Sequence, residues 1–183
     1  MSALKQLIVR HACPDDVDVL VNFSAAMAVE TEGRTLDTER LRRGTLAVLE
    51  SPTRGFYLVA ELPEGSLKVV VGQLLVTYEW SDWRNATFWW IQSVYVHPDW
   101  RRRGVYRHMH ESVLAEARAQ GNVCGVRLYV EEENEAAQAV YRRVGLSRSP
   151  YLVFEDDFVL ARRERQHPPE KKDKSSNKRP AVQ

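Results

Sequence analysis

The chain has 183 residues, 44% of them hydrophobic, with 26 Lys and Arg against 25 Asp and Glu. That is the length of one ordinary domain, long enough to bury a core without disulfides or a structural metal. The near-neutral balance argues against a globally basic nucleic-acid binder. Cys13 and Cys124 stand alone, outside any Cys-x-x-Cys pair, so no zinc site or disulfide framework is expected. The first residues hold no apolar run of signal-peptide length, and nowhere do 18 apolar residues follow one another. No membrane span is expected, and the expected compartment is the cytoplasm.

In chain order the pattern alternates strands and helices. Leu7–Ala12 reads as a strand. Pro14, Asp15 and Asp16 suit a helix start, and Val17, Leu20, Val21, Ser24 and Met27 follow at helical spacing. Asp37–Leu49 reads as a second helix. Phe56–Leu62 and Lys68–Tyr78 read as a hairpin around a turn at Pro63–Ser66. Glu79–Thr87 reads as a polar, tryptophan-bearing connection, and Phe88–Val96 as the next strand. Val105–Gln120 reads as a helix closed by Gly121, Gly125–Val130 as a strand and Asn134–Val144 as a helix. Tyr151–Phe154 reads as the start of a last strand. Residues 161–183 carry eight Lys or Arg, three Asp or Glu and three prolines. They read as a disordered basic tail following a domain of residues 1–160. Its charge raises the alternative of a ribosome- or nucleic-acid-associated protein.

Two stretches carry chemistry. At Val94–Tyr106 an apolar strand meets three arginines and Gly104, and a helix begins at once. The first amides of a helix lack intrahelical partners and face whatever lies over the helix start, so this order makes an anion site suited to a diphosphate. In the second, Asn134 is a good helix N-cap, Tyr141 lies two turns on and Gly145 closes the helix.

Together the two stretches resemble the GNAT superfamily of N-acetyltransferases. Arg101 and Gly104 match that family's Arg/Gln-x-x-Gly-x-Gly/Ala turn, with Tyr106 where a small residue is usual. Asn134, Ala137, Tyr141, Gly145 and Leu146 match its Asn-x-x-Ala-x-x-x-Tyr-x-x-x-Gly pattern. The resemblance implies an acyl-CoA N-acyltransferase fold, of α/β (α+β) class, with a mixed twisted sheet of six or seven strands and about four helices. It implies acetyl-CoA as donor, with Val94, Tyr95 and Val96 pairing by backbone with the pantetheine arm. Arg101, Arg102, Arg103, Gly104, Val105 and Tyr106 would hold the diphosphate, and Asn134 would hydrogen-bond near the pantetheine. Tyr141 would protonate the leaving thiolate, and a homodimer is implied.

Within the family the middle of the chain is similar to diamine acetyltransferases, which carry a glutamate on the fourth strand. Gln92 stands there, followed by Ser93. Glutamine cannot take a proton, so either Gln92 and Ser93 position a water, or the base lies among Glu30, Glu32, Glu79 and Asp82. Glu30, Glu32, Trp80 and Asp82 are candidate ligands of a cationic amine, by charge and cation–π contact. Five tryptophans, Trp80, Trp83, Trp89, Trp90 and Trp100, fall between positions 80 and 100; Trp80 and Trp83, read as loop residues, fit a dimer interface equally well. Adjacent Trp89 and Trp90 should face opposite sides of their strand. His108 and His110 point about 200° apart on their helix and cannot share a metal. The expected activity is acetyl transfer to a primary amine, on a small molecule or a peptide. A non-catalytic acyl-CoA sensor is the alternative.

Overall fold

The computed structural model describes residues 6–64 and 67–160. The expected basic tail, 161–183, lies outside the described residues. Residue contacts divide the chain into two units, one ending at Ser147 and the other beginning at Arg148.

The first unit is one five-stranded sheet in the order β1-β2-β3-β4-β5. The strands are β1 (Ile8–His11), β2 (Phe56–Glu64), β3 (Leu67–Ser81), β4 (Ala86–Val96) and β5 (Val123–Leu128). The first four pair antiparallel and β5 joins β4 in parallel. The helices are α1 (Val17–Glu32), α2 (Thr38–Leu49), α3 (Val105–Ala119) and α4 (Glu135–Arg143).

Local chemistry sets these limits. A single 3-10 turn at Pro14–Asp16 leads into α1, which ends at Gly33 in the left-handed conformation. Asp37 caps α2 by accepting from the amide of Arg40 at 2.8 Å, and Asn134 caps α4 by accepting from Ala137 at 3.0 Å.

The sheet is covered on both faces. On one face α3 lays Val105, Met109, Val113 and Ala117 on Leu58, Ala60, Leu74, Val76, Trp89 and Ile91, forming the main core. On the other, Leu20 of α1 packs with Tyr57 and Val59, flanked by Val48 and Leu49 of α2. Burying each such side chain contributes about 1.5–3 kcal/mol. Trp89 is buried and Trp90 half-buried, as their adjacency on a strand requires.

Three expectations need correction. Five strands are present among the described residues, not six or seven. Tyr151–Phe154 forms no strand, and residues 148–160 contain neither helix nor strand. The apolar run is only four residues long, and the Asp157 carboxylate beyond it accepts from the amides of Val159 and Leu160 at 2.8 Å each. Such side-chain-to-backbone bonds favour a turn over a ladder. Finally, Glu79–Ser81 and Ala86–Thr87 are not loop. They extend the hairpin, pairing Glu79 with Phe88 and Ser81 with Ala86. Trp80 therefore stands on β3, and only the 3-10 turn Asp82–Arg84, with Asn85, connects the strands.

Candidate active site

The site begins with an irregularity in β4. Val76 is opposite Ile91 and Leu75 is opposite Ser93, so Gln92 is an extra residue in a β-bulge. Bulges bend and twist a strand and re-aim its side chains. On its other edge β4 pairs with β5 from Thr87↔Val123 to Ile91↔Leu128. Beyond that pair, Gln92–Val96 run on along β3 without β5 beside them. The strands part where the bulge sits, and the second edge of Val94, Tyr95 and Val96 offers backbone groups to an extended ligand.

The base of the parallel pair is tight. A Cβ on Gly125 would meet the Phe88 ring at 2.8 Å, so glycine lets β5 approach there.

After Val96 the chain makes a 3-10 turn, Pro98–Trp100, and reaches α3 through Arg101–Gly104. Arg102 and Gly104 both have left-handed backbone, φ 59° and 88°. The first is unusual for arginine and stores local strain of about 1 kcal/mol or more. Space does not demand glycine at 104, where an added Cβ would meet only the His108 ring at 3.9 Å. The positive φ does. The ring nitrogen Nδ1 of His108 donates to the Gly104 carbonyl at 2.9 Å. The first α3 amide bonded within the helix is that of His108, to the same carbonyl at 3.2 Å. The amides before it lie at the positive end of the helix dipole. A left-handed turn opening onto a helix start is an anion cradle, and it fits a diphosphate.

Tyr141 of α4 is half-buried and stands edge-on to Tyr106 of α3, ring centres 5.5 Å apart. Burial raises its phenol above the ordinary value, so it keeps its proton at neutral pH. The bulky Tyr106 turns its side chain inward, against His110 and Tyr141, and leaves its amide at the helix start. Burial also raises its phenol. His110 is buried and its proton affinity is lowered by that burial. Among the described residues no three His, Cys, Asp or Glu side chains converge on a metal position.

Gln92 is held across the mouth of the gap. Its amide nitrogen donates to the Tyr129 hydroxyl, and its oxygen accepts from Thr77 at 3.4 Å. Tyr129, just past β5, stacks against Trp90 at 5.8 Å. Sequence reasoning missed Tyr129, because nothing in its neighbourhood shows that it faces residue 92.

The candidate acids do not gather. Glu30 accepts from Tyr95 and Arg101, Glu32 pairs with Arg34 at 3.5 Å, and Glu79 pairs with Arg127 at 2.6 Å. Asp82 accepts from the amide of Trp83 at 2.9 Å. Glu30 meets β4 at Tyr95, whereas Trp80 and Asp82 lie at its other end. Nearly the whole of β4, about 30 Å of strand, separates the two groups, so they form no common amine pocket.

The family model described as "Acetyltransferase (GNAT) family" matches residues 23–146. The chain belongs to this family. A solved structure of a possible acetyltransferase from Clostridium difficile 630 is 37% identical, covers 85% of this chain and 99% of its own, and superposes with TM-score 0.77. An integron cassette protein from the mobile metagenome of Cole Harbour Salt Marsh is 22% identical, over 84% of this chain and 91% of its own, at TM-score 0.70. The aminoglycoside N-acetyltransferase AAC(6')-Iy in complex with CoA is 13% identical, over 84% and 95%, at TM-score 0.67. These last two share the fold. No curated protein matches the chain.

Proposed function

We propose that this GNAT member transfers acetyl from acetyl-CoA directly to a primary amine, and that its acceptor is a small cationic molecule. The observation that carries the reading is the parting of β4 from β5 at Ile91, beside the left-handed turn that opens α3. In this reading the amides of Arg102 to Tyr106 hold the diphosphate, and the side chains of Arg102 and Arg103 add charge. The edge of Val94–Val96 away from β3 pairs with the pantetheine arm, except at the Val96 carbonyl, which Arg101 already occupies. Asn134 spends its carbonyl oxygen on the helix cap, so its NH2 group is what it can offer the coenzyme. Bound there, acetyl-CoA supplies an activated acyl group as a thioester. Tyr141 donates its proton to the departing sulfur.

The amine must arrive without its proton. At pH 7 an amine of lysine type is about 3.4 pH units from neutral, a cost of roughly 4.6 kcal/mol. Gln92 cannot remove that proton, and Glu30, Glu32, Glu79 and Asp82 all have partners. Gln92 and Tyr129 can hold a water or the amine itself by hydrogen bonds. Trp90 and Tyr129 offer aromatic faces to a cation, each worth about 0.5–2 kcal/mol.

The test is thiol release from acetyl-CoA with a panel of polyamines, aminoglycosides, amino acids and peptides. Aminoglycosides belong in it because solved acetyltransferases of this fold act on them. Tyr141→Phe is expected to lower kcat about 100-fold while CoA still binds. Unchanged turnover would remove the general-acid role. Gln92, amide-bonded and unable to act as a base, favours a second reading, a coenzyme-binding sensor. CoA binding without acetylation of any acceptor would decide for it.

A further inference from the structure

Arg101 is the arginine that the family pattern assigns to the diphosphate, yet its guanidinium is engaged elsewhere. Nε donates to the Val96 carbonyl at 2.9 Å, and Nη2 donates to Glu30 Oε2 at 2.5 Å. The other oxygen of Glu30 accepts from the Tyr95 hydroxyl at 2.8 Å. The guanidinium lies over the Tyr95 ring, 5.3 Å from its centre, and Phe23, two turns before Glu30 on α1, packs on that ring at 5.1 Å. One carboxylate thus joins the end of α1, the last residues of β4 and the first residue of the coenzyme turn.

Glu30 is badly placed to serve its own helix. A carboxylate in the last turn of α1 faces the negative end of the helix dipole. Burial also disfavours its charge, but the hydrogen bonds from Tyr95 and Arg101 outweigh that burial and hold its carboxyl below the ordinary range. Its two oxygens are spent on Tyr95 at the end of β4 and on Arg101 at the start of the turn. The turn has a corresponding need, since Arg102 holds an unfavourable left-handed backbone immediately after Arg101.

We propose that Glu30 is a positioning residue for coenzyme binding: it latches Arg101 to the end of β4 and so fixes the shape of the turn from Arg102 to Gly104. Arg101 then acts through this latch and not on the phosphates, which fall to the backbone amides and to Arg102 and Arg103. The inference rests on the reading of this turn as the coenzyme site. It withdraws Glu30 from the candidate bases and amine ligands.

The test is a double-mutant cycle with CoA as the probe, read by calorimetry on the wild type, Glu30→Gln, Arg101→Gln and the double variant. Each single change is expected to weaken CoA about three- to fivefold, the scale of a half-exposed ion pair. The double variant should be no weaker than the worse single one. Arg101→Lys, which cannot reach both the Val96 carbonyl and Glu30 with one ammonium, should not rescue. A readout independent of binding is the rate of tryptic cleavage within Arg101–Arg103 of the coenzyme-free protein, followed by mass. It should rise several-fold in Glu30→Gln. Additive losses would place Arg101 on the phosphates and overturn the latch. So would a raised KM for the amine in Glu30→Gln with CoA affinity unchanged, or an unchanged cleavage rate. No CoA heat with folded wild-type protein would overturn the reading of the site itself, and the latch with it.

Discussion

Helix α1 is held at both ends by an arginine and carboxylates, and the two ends differ in kind. At the start, Arg10 of β1 grips both oxygens of Asp16 at 2.7 and 3.0 Å and bonds Glu61 of β2 at 2.8 Å. Lys68 completes Glu61 at 2.7 Å, and the Cys13 amide completes Asp16 at 2.8 Å. The side chains of Asp16 and Glu61 are only 8% and 3% exposed. At the far end Glu30 and Arg101 are 38% and 42% exposed. The chemistry is the same, but burial divides its use. Charges taken out of water must all be satisfied, so the first cluster is a structural commitment. Charges left half in water contribute little to stability and can be arranged around a ligand turn.

The widest separation should come from Arg10→Ala. It takes the guanidinium from two buried carboxylates, leaving Glu61 only Lys68 and Asp16 only the Cys13 amide, and is expected to cost about 3–5 kcal/mol in urea unfolding, while CoA affinity of the folded protein stays at the wild-type value. A smaller effect should appear on acidification. In Asp16 and Glu61 burial works against the charge, but the Arg10 and Lys68 bonds and the Cys13 amide prevail and hold the folded-state values below the ordinary 3.8 and 4.5. The stability these groups contribute is therefore complete above about pH 5 and lost as pH falls through the folded values. Urea midpoints measured from pH 6 to 3 should decline late in the wild type. They should decline at higher pH in Arg10→Ala, where the carboxylates keep only Lys68 and the Cys13 amide. Smallest of all, Glu30→Gln should change unfolding free energy by less than about 1 kcal/mol. A loss comparable to that of Arg10→Ala would erase the distinction between the two ends.

Much of the site was legible because it is local. The strand, arginine-rich turn and helix from Val94 to Tyr106 are contiguous, and Asn134 and Tyr141 share one short helix. Periodicity and capping chemistry find such features without knowledge of the fold. What escaped depends on distant partners. Glu30 meets Arg101 across 71 positions, and Gln92 meets Tyr129 across 37. The bulge at Gln92 left no mark, since any residue can occupy it. Glu79–Ser81 read as loop because an outer hairpin exposed to water on one side carries polar residues there. Tyr151–Phe154 shows the opposite error: strand-forming residue types are not enough without a ladder to join.

The bulge also settles a matter of parity. Trp89 and Ile91 face α3, and so do Val94 and Val96, although an uninterrupted pleat would send the second pair to the opposite side. The extra residue at 92 resets the alternation, and only for that reason does the Tyr95 phenol emerge toward α1, within reach of Glu30. Drawing Gln92 into the ladder, instead of leaving it bulged, would exchange the two faces of everything after it. The valines would be thrust at α1 and the phenol driven into the hydrocarbon interior, so it is the bulge that keeps the strand's two faces in order.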